Sequence, residues 1–543
     1  MNNMPDNVSL RALIENYPIK SIVMPGNSGN IKQALDDIKI SGLNYHSQNV
    51  SQNELFFCLT GHQYDGHAFA EKAYNKGAVA LIVEREIPHI PLLQVVVENS
   101  RRALSHLSAK FYQHPSKSMN MIGITSTNGK TTTTYMIDQI LSSNKPTGLL
   151  GTVIVKLGEE TKESDLTTPE SLDLQRYLAS MKRKNINYCT MEVSSSGLEL
   201  ERVSAVDYDI AIINNISRDH IDQHGSFENY FAAKQRLVEE IQEDKRAVIN
   251  VDCENACKMI NYTKAKVITY SVKGIDATIG IDNLDLSSGS ASFDLVINRG
   301  FSTLSGKWIK PGRFKIKLKV LGLHNVYNAT SAAISTLLLD EPITRIQSEL
   351  AKFSGVERRF QLIFDKKFKI IDDHFANPGN IEVTMETLGK MDFNNLKILY
   401  AIRGGRGKTV NEENTKALIK WLKKLNLQEV YVTSSDEIVG IENKVTMTER
   451  DTTLSLLKSA GIRVRYFSQL RSAIKSVIIE RHLQTGDVLL LAGCQGMDPG
   501  ARLVLNLIYN RLTKNQQKYW GDEILAPLKH RVAGMNCNIS KPI

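Results

Sequence analysis

Cysteine is scarce and scattered, with six residues in a chain of 543: Cys58, Cys189, Cys253, Cys257, Cys494 and Cys537. Cys253 and Cys257 are close in sequence, yet no second pair or neighbouring histidines complete a zinc site, so the thiols read as reduced core side chains. The opening MNNMPDNVSL lacks the basic-then-apolar order of a secretion signal. No apolar run reaches the roughly 18 residues of a membrane span. A cytoplasmic protein without a membrane partner is therefore expected. Also missing is any stripe of Lys and Arg interleaved with aromatics, which argues against a nucleic-acid partner. The formal charge of +9 then points to small anionic partners such as nucleotides and UDP-sugars.

What is present is an ordinary globular composition, 42% hydrophobic and 23% charged, in a chain too long for one core. Residues 1–118 mix short strands (54–59, 78–83) with a helical stretch near 68–76, a small α/β unit. From residue 119 the pattern becomes apolar strand, Gly/Ser/Thr/Asn loop and helix, the order of a phosphate-binding turn. Strands and helices then alternate to residue 345, predicting a central doubly wound, mostly parallel sheet, with a strand-rich insertion at about 276–319. Strands at 368–371, 396–402, 429–433 and 487–492, each followed by a helical stretch, predict a C-terminal Rossmann-like domain over 346–513. Residues 514–543 show no clear periodicity. The fold class is α/β, in three domains.

The segment Gly123-Ile-Thr-Ser-Thr-Asn-Gly129-Lys130-Thr131 supplies a pliable backbone to aim N–H groups at phosphates, a lysine for the β- and γ-phosphates and a hydroxyl for Mg²⁺. The general phosphate-loop pattern places glycine five residues before Gly129, where Ile124 stands. A Thr-rich helix cap is the lesser alternative on local evidence.

This segment resembles the ATP loop of the Mur ligase family, G-x-T-G-T-N-G-K-T-T, with Ser126 in place of the middle glycine. The resemblance implies that Thr127, Asn128, Gly129, Lys130, Thr131 and Thr132 hold ATP. Met191-Glu192-Val193-Ser194-Ser195-Ser196-Gly197-Leu198 resembles the family's E-V-S-S-H-G-L, which makes Glu192 a magnesium ligand beside Thr131. Asn214 to Gly225 resembles T-N-x-x-R-D-H-x-D-x-H-G, which makes His220 a metal ligand. Lys234, in Tyr230-Phe-Ala-Ala-Lys234, falls where the family carries a carbamoylated lysine, able to serve a second Mg²⁺ that a bare ammonium would repel. Alone, Glu192 would be a solvated charge at a strand end and Lys234 an exposed helix lysine.

The resemblance extends on both sides. Gly61-His62-Gln63-Tyr64-Asp65-Gly66 resembles the UDP-binding segment of the dipeptide-extending branch, implicating His62 and Gln63. Ser47 survives from an x-D-S-R-x-V pattern whose acid and arginine are replaced here by His46 and Gln48. Thr167, Thr168, Ser195 and Arg202 match segments that contact the sugar-peptide. Gly322 to Ala329 resembles G-x-H-N-x-x-N-A and implicates Asn325 near adenine, while Gly355 to Phe360 resembles the hinge into the third domain, with Arg359 as a phosphate contact.

In the third domain the likeness thins. Asp373 and Pro378 persist from D-Y-A-H-T-P, but Ala376 stands at the histidine position. Ile402 to Lys408 replaces G-C-G-G-D-R-D, and Gly493 to Asp498 replaces G-K-G-H-E. Ser434-Ser435-Asp436-Glu437 stands where D-N-P-R is usual, so the arginine expected to read the incoming side chain is absent. The implied activity is ATP-dependent amide ligation through an acyl phosphate, adding an amino acid to UDP-N-acetylmuramoyl-dipeptide with two Mg²⁺ ions, in an expected monomer. Three alternatives stay open: a paralogue with the same chemistry on another carboxylate acceptor, a nucleotide-binding subunit without chemistry, and a generic phosphate-loop ATPase or GTPase.

Overall fold

A computed structural model describes residues 8–25, 30–61, 64–219, 221–286, 291–480, 483–529 and 531–535. His62, Gln63 and His220 lie outside the described residues.

Three sheets organise the chain, each with apolar side chains on both faces. The first has five strands in the order Ser21–Val23, Leu93–Val96, Ala78–Val83, Glu54–Phe57, Gly42–Asn44, parallel except at the first pair. The helix Ser100–Phe111 begins where the Asn99 side chain accepts from the Arg102 N–H, and it buries Ala103, Leu104, Leu107 and Phe111 against this sheet. The first and central sheets are tied by Tyr45, whose hydroxyl donates to Asp173 at 2.6 Å, and by Arg176, which donates to the Leu43 carbonyl at 3.0 Å.

The central sheet has eleven strands with a parallel middle. Asn120–Thr125 lies between Tyr188–Glu192 and Ile210–Ile213, and Arg246–Asn250 and Lys266–Tyr270 follow on one side. Strand alternation sends Ile122 and Ile124 to one core with Met136, Ile137 and Ile140 of the helix Lys130–Ser142, and Met121 to the other. Burying each such side chain contributes about 1.5–3 kcal/mol. The strand-rich insertion is not a separate unit: Ile279–Asp285, Ala291–Ile297 and Gly312–Leu318 extend the same sheet as an antiparallel edge.

The third sheet runs Gln361–Asp365, Lys369–Asp373, Val488–Ala492, Leu396–Ala401, Glu429–Thr433, Arg463–Phe467, antiparallel only at its first pair. The last strand and the antiparallel first one carry no strong alternation and escape a reading by pattern. Residues after 513, where no periodicity is evident, contain a helix, Lys514–Leu525. Its start is a capping box in which the Thr513 hydroxyl and Gln516 satisfy each other's backbone N–H groups. Among the described residues no helix is long and apolar enough to cross a membrane.

Candidate active site

The register of the central sheet brings chemistry to one edge. Glu192 pairs with Ile124 and Ile213 with Thr125, so the phosphate-loop strand and its neighbours end together. The chain then turns through Gly129, whose φ of 90° suits glycine. A Cβ there would also strike the Asn328 side-chain oxygen. Ser126, standing for the family's glycine, does not have a positive φ, so the substitution introduces no backbone strain. Gly123 is required for packing, because a Cβ would strike the ring of buried Tyr208.

Lys130 Nζ donates to the carbonyls of Ser126 at 2.7 Å and Thr127 at 3.2 Å. Burial lowers its pKa from the ordinary value and Arg359 adds to that, while Glu192 and Asp219 act in the other direction. Asn128 and Asn215 exchange two hydrogen bonds of 2.9 Å, and the Thr127 hydroxyl meets Tyr230 Oη at 2.9 Å.

Glu192 is fully buried, with no salt-bridge partner among the described residues. Its carboxylate accepts from the Thr131 hydroxyl at 2.9 Å and from Thr152, at 2.8 Å from the N–H and 3.0 Å from the hydroxyl. A buried carboxylate beside a phosphate-loop hydroxyl is the hard-oxygen donor set that magnesium takes. Among the described residues no three His, Cys, Asp or Glu side chains converge.

Lys234 is buried rather than exposed, its Nζ donating to Thr125 Oγ1 at 3.1 Å and to the Ser126 carbonyl at 3.0 Å. Burial, and then the charge of Lys130, pull its pKa well below the usual lysine value, with Asp219 opposing. Lys130 and Lys234 thus share one carbonyl oxygen.

Beside Glu192 lies the Thr-Thr-Pro loop. The Thr167 hydroxyl meets Thr152 at 3.1 Å, and Thr168 is locked between the Glu192 carbonyl and the Ser194 side chain, each at 3.0 Å. Arg202 ties the loop together through the Thr168 carbonyl at 3.1 Å and Glu170 at 2.7 Å. Ser195 pairs with buried His224 at 3.0 Å. Ser47 is buried in the turn after Gly42–Asn44.

The third domain closes the site. Asn377 caps the helix Pro378–Leu388 by accepting from Asn380 N–H, and its amide donates to Asp219 at 2.9 Å. Asn380 donates to Asn128 of the phosphate loop at 2.6 Å. A cavity of about 840 Å³ lies between the two domains. It is lined by the phosphate loop, Thr152, Thr167 and Glu192 on one side and by Arg359, Asp373, His374, Asn377 and Arg403 on the other. Ser47, Thr168, Ser195, Arg202, Asn325 and Lys234 do not line it. Asn325 sits behind the wall, bonded to the Leu321 carbonyl at 2.7 Å and to Asn328 at 3.2 Å. Asp373 lines the cavity, but its carboxylate is engaged by Phe360 N–H at 2.8 Å and by the Thr384 hydroxyl.

Several lining residues were not singled out from the sequence. Asp252 accepts from Tyr327 Oη at 2.9 Å, and Lys273 lines the wall beside them. Tyr327 and Asn328 were inside the Gly322–Ala329 motif, and helical spacing puts Asn328 one turn from Asn325. His374, which the family pattern does not supply, has its pKa pushed well below the usual imidazole value by burial and then by the charges of Arg359, Arg358 and Arg403.

Known proteins resemble this chain in sequence and in fold. Family models match residues 39–112 (Mur ligase family, catalytic domain), 124–336 (Mur ligase middle domain) and 358–495 (Mur ligase, glutamate ligase domain). The chain is 31% identical over 474 residues to the UDP-N-acetylmuramoyl-L-alanyl-D-glutamate–2,6-diaminopimelate ligase of Bacillus velezensis, covering 85% of this chain and 91% of that one. The chain belongs to the Mur ligase family. Mur ligases are ATP-dependent, ADP-forming amide ligases that work with Mg²⁺, and this chain is one of them. A solved UDP-N-acetylmuramoyl-L-alanyl-D-glutamate–2,6-diaminopimelate ligase shares the Mur ligase fold at a TM-score of 0.61 and 25% identity, over 90% of this chain and 94% of that one. MurF from Acinetobacter baumannii shares the fold at 0.62 and 21% identity, over 87% and 94%.

Proposed function

We propose that this Mur ligase adds an amino acid to UDP-N-acetylmuramoyl-L-alanyl-D-glutamate, the acceptor in its relatives' names, as a step of peptidoglycan precursor synthesis. The observation that carries the reading is a cavity in which the phosphate loop, Glu192 and Thr167 of the Thr-Thr-Pro loop face the third domain. Amide formation in water is uphill until the carboxylate is activated. Transfer of the γ-phosphoryl group of ATP to the terminal carboxylate gives an acyl phosphate, and the incoming amine displaces phosphate.

In this reading Lys130 and the N–H groups of residues 129–131 hold the phosphates, adding the positive end of the helix Lys130–Ser142. Thr131 and Glu192 would hold Mg²⁺, whose charge would offset that of the phosphates. Thr167 and Thr152 face the acceptor carboxylate, and Arg359 faces the phosphates. Asn377 and Asn380 hold the third domain shut, excluding water that would hydrolyse the acyl phosphate.

Lys234 is the proposed carbamate. A carbamate forms when a neutral amine attacks CO₂, making the N–C bond and releasing one N–H proton to solvent, and the depressed pKa favours that neutral amine. Its anionic oxygens would set a negative charge opposite Lys130 in place of the amine. His220, a metal ligand only by resemblance to the family motif, lies outside the described residues.

The incoming amino acid is read by the third domain. Ser434 and Ser435 are buried and bonded inward, to Tyr466 Oη at 2.9 Å and to Thr433 at 3.5 Å, and present no cation. The test is purified chain with ATP, Mg²⁺ and UDP-N-acetylmuramoyl-L-alanyl-D-glutamate, each amino acid and 2,6-diaminopimelate in turn. The expected result is phosphate release matched by a product heavier by one amino-acid residue. Phosphate release with none of them overturns the acceptor.

A further inference from the structure

The hinge into the third domain is held in an uncommon conformation. Gly355 has φ 99°, and Arg358 and Phe360, on either side of Arg359, have φ 60° and 49°. Non-glycine residues occupy this left-handed region only where their surroundings over-determine them. Here the surroundings come partly from the C-terminal segment, beyond residue 495 where the family match ends.

Arg531 is buried, its guanidinium pairing with the fully buried Asp372 and donating to Gln361 Oε1 at 2.8 Å. Arg531 Nε also lies 3.8 Å from Glu357. The Glu357 carboxylate in turn accepts from the N–H groups of Val532 and Ala533, each at 3.1 Å from Oε2. Arg502 fixes the other side of the segment through the carbonyls of Arg531 and Ala533. Arg358 Nε sits 3.5 Å from the same Asp372, while its other nitrogens reach Asp498 and the carbonyls of Gly493 and Cys494. One buried carboxylate thus joins the terminal segment to the left-handed residue preceding Arg359, whose own Nη1 donates to the Arg358 carbonyl at 3.0 Å.

We propose that Arg531 is a positioning residue for the ligase reaction: the C-terminal segment clamps Glu357 and Arg358 so that the left-handed hinge aims Arg359 into the nucleotide cavity. The proposal rests on the reading that Arg359 faces the ATP phosphates. A purely structural tail would protect the fold without influencing how ATP is used, so the two roles separate kinetically.

The experiment compares steady-state kinetics with ATP varied for the full chain and for Arg359→Ala, Arg531→Gln and the double variant. Expected losses in kcat/KM for ATP are about a hundredfold for Arg359→Ala and about tenfold for Arg531→Gln, with the double variant no worse than Arg359→Ala alone. Arg531→Lys, which keeps a cation near Asp372, restores part of the loss. Losses that multiply in the double variant, or an Arg531→Gln enzyme with lower Tm and unchanged kcat/KM, overturn the clamp. Unchanged kinetics in Arg359→Ala overturn instead the reading beneath it. Should Arg531→Gln fail to fold, Gly534→Ala tests the same point without leaving a buried charge. Gly534 has φ 74° and packs on Pro499, so a methyl group there pushes the segment off its seat. The expected result is again a loss of kcat/KM for ATP that disappears in the Arg359→Ala background.

Discussion

Replacing Glu192 by glutamine keeps the side chain's shape and removes its charge. The carboxylate is fully buried and receives three hydrogen bonds of 2.8 to 3.0 Å, from Thr131 and Thr152. A unit charge pair 4 Å apart is worth about 4 kcal/mol at an effective dielectric of 20, and a divalent ion doubles that. The amide oxygen retains part of the coordination, leaving a loss of about 3–4 kcal/mol, or roughly 10²- to 10³-fold in magnesium affinity. The amide NH₂ also meets donors, and one unmade buried hydrogen bond costs about 1–3 kcal/mol of stability. The assay is phosphate release against magnesium concentration at saturating ATP, with Tm measured alongside. The midpoint should move up by two to three decades while the fold survives. A midpoint within about twofold of the parent refutes magnesium holding by Glu192.

Removing CO₂ from the buffer should lower activity and bicarbonate should restore it, with an intact-mass increase of one CO₂ that vanishes in Lys234→Ala. In the uncarbamoylated chain the depressed Lys234 pKa has a stability consequence. Between the lowered folded value and the ordinary unfolded 10.5, the unfolded chain binds more protons, so this group's contribution makes stability rise with pH through that window. Denaturant titrations of parent and Lys234→Met across alkaline pH should differ in that slope. Gly129→Ala should abolish ATP binding in calorimetry, since the methyl group meets Asn328 and the backbone is left-handed. Asn377→Ala removes a helix cap costing about 1 kcal/mol and the tie to Asp219, and should raise the ratio of ATP hydrolysed to amide formed as water enters.

The phosphate loop was legible because its chemistry is local: strand, glycine turn, lysine and hydroxyl lie within a dozen residues. The partners of Glu192 were legible only in part. Thr131 is implied by the motif, whereas Thr152 comes from a separate loop that only the parallel register delivers. Lys234 reads as an exposed helix lysine by composition, and its burial is a property of the packed sheet edge. Asn325 and Asn328 show the limit of a motif without phase: both belong to one helical face, and only the second reaches the cavity wall. The insertion at 276–319 was visible as strands, but its attachment to the central sheet comes through a short parallel pairing at Tyr270 and Ile279, braced by Thr269 and Thr278. The terminal helix, by contrast, carried a readable signal in Thr513-x-x-Gln516, while the burial of Arg531 against Asp372 spans 159 residues and has no sequence trace.

The most direct test of ligation through an acyl phosphate is an oxygen-transfer measurement. The terminal carboxylate of UDP-N-acetylmuramoyl-L-alanyl-D-glutamate is labelled with ¹⁸O, and the enzyme turns over with ATP, Mg²⁺ and its amino acid. The released phosphate should carry one ¹⁸O from the carboxylate for each amide bond formed. Unlabelled phosphate accompanying amide formation would contradict acyl-phosphate chemistry in this cavity.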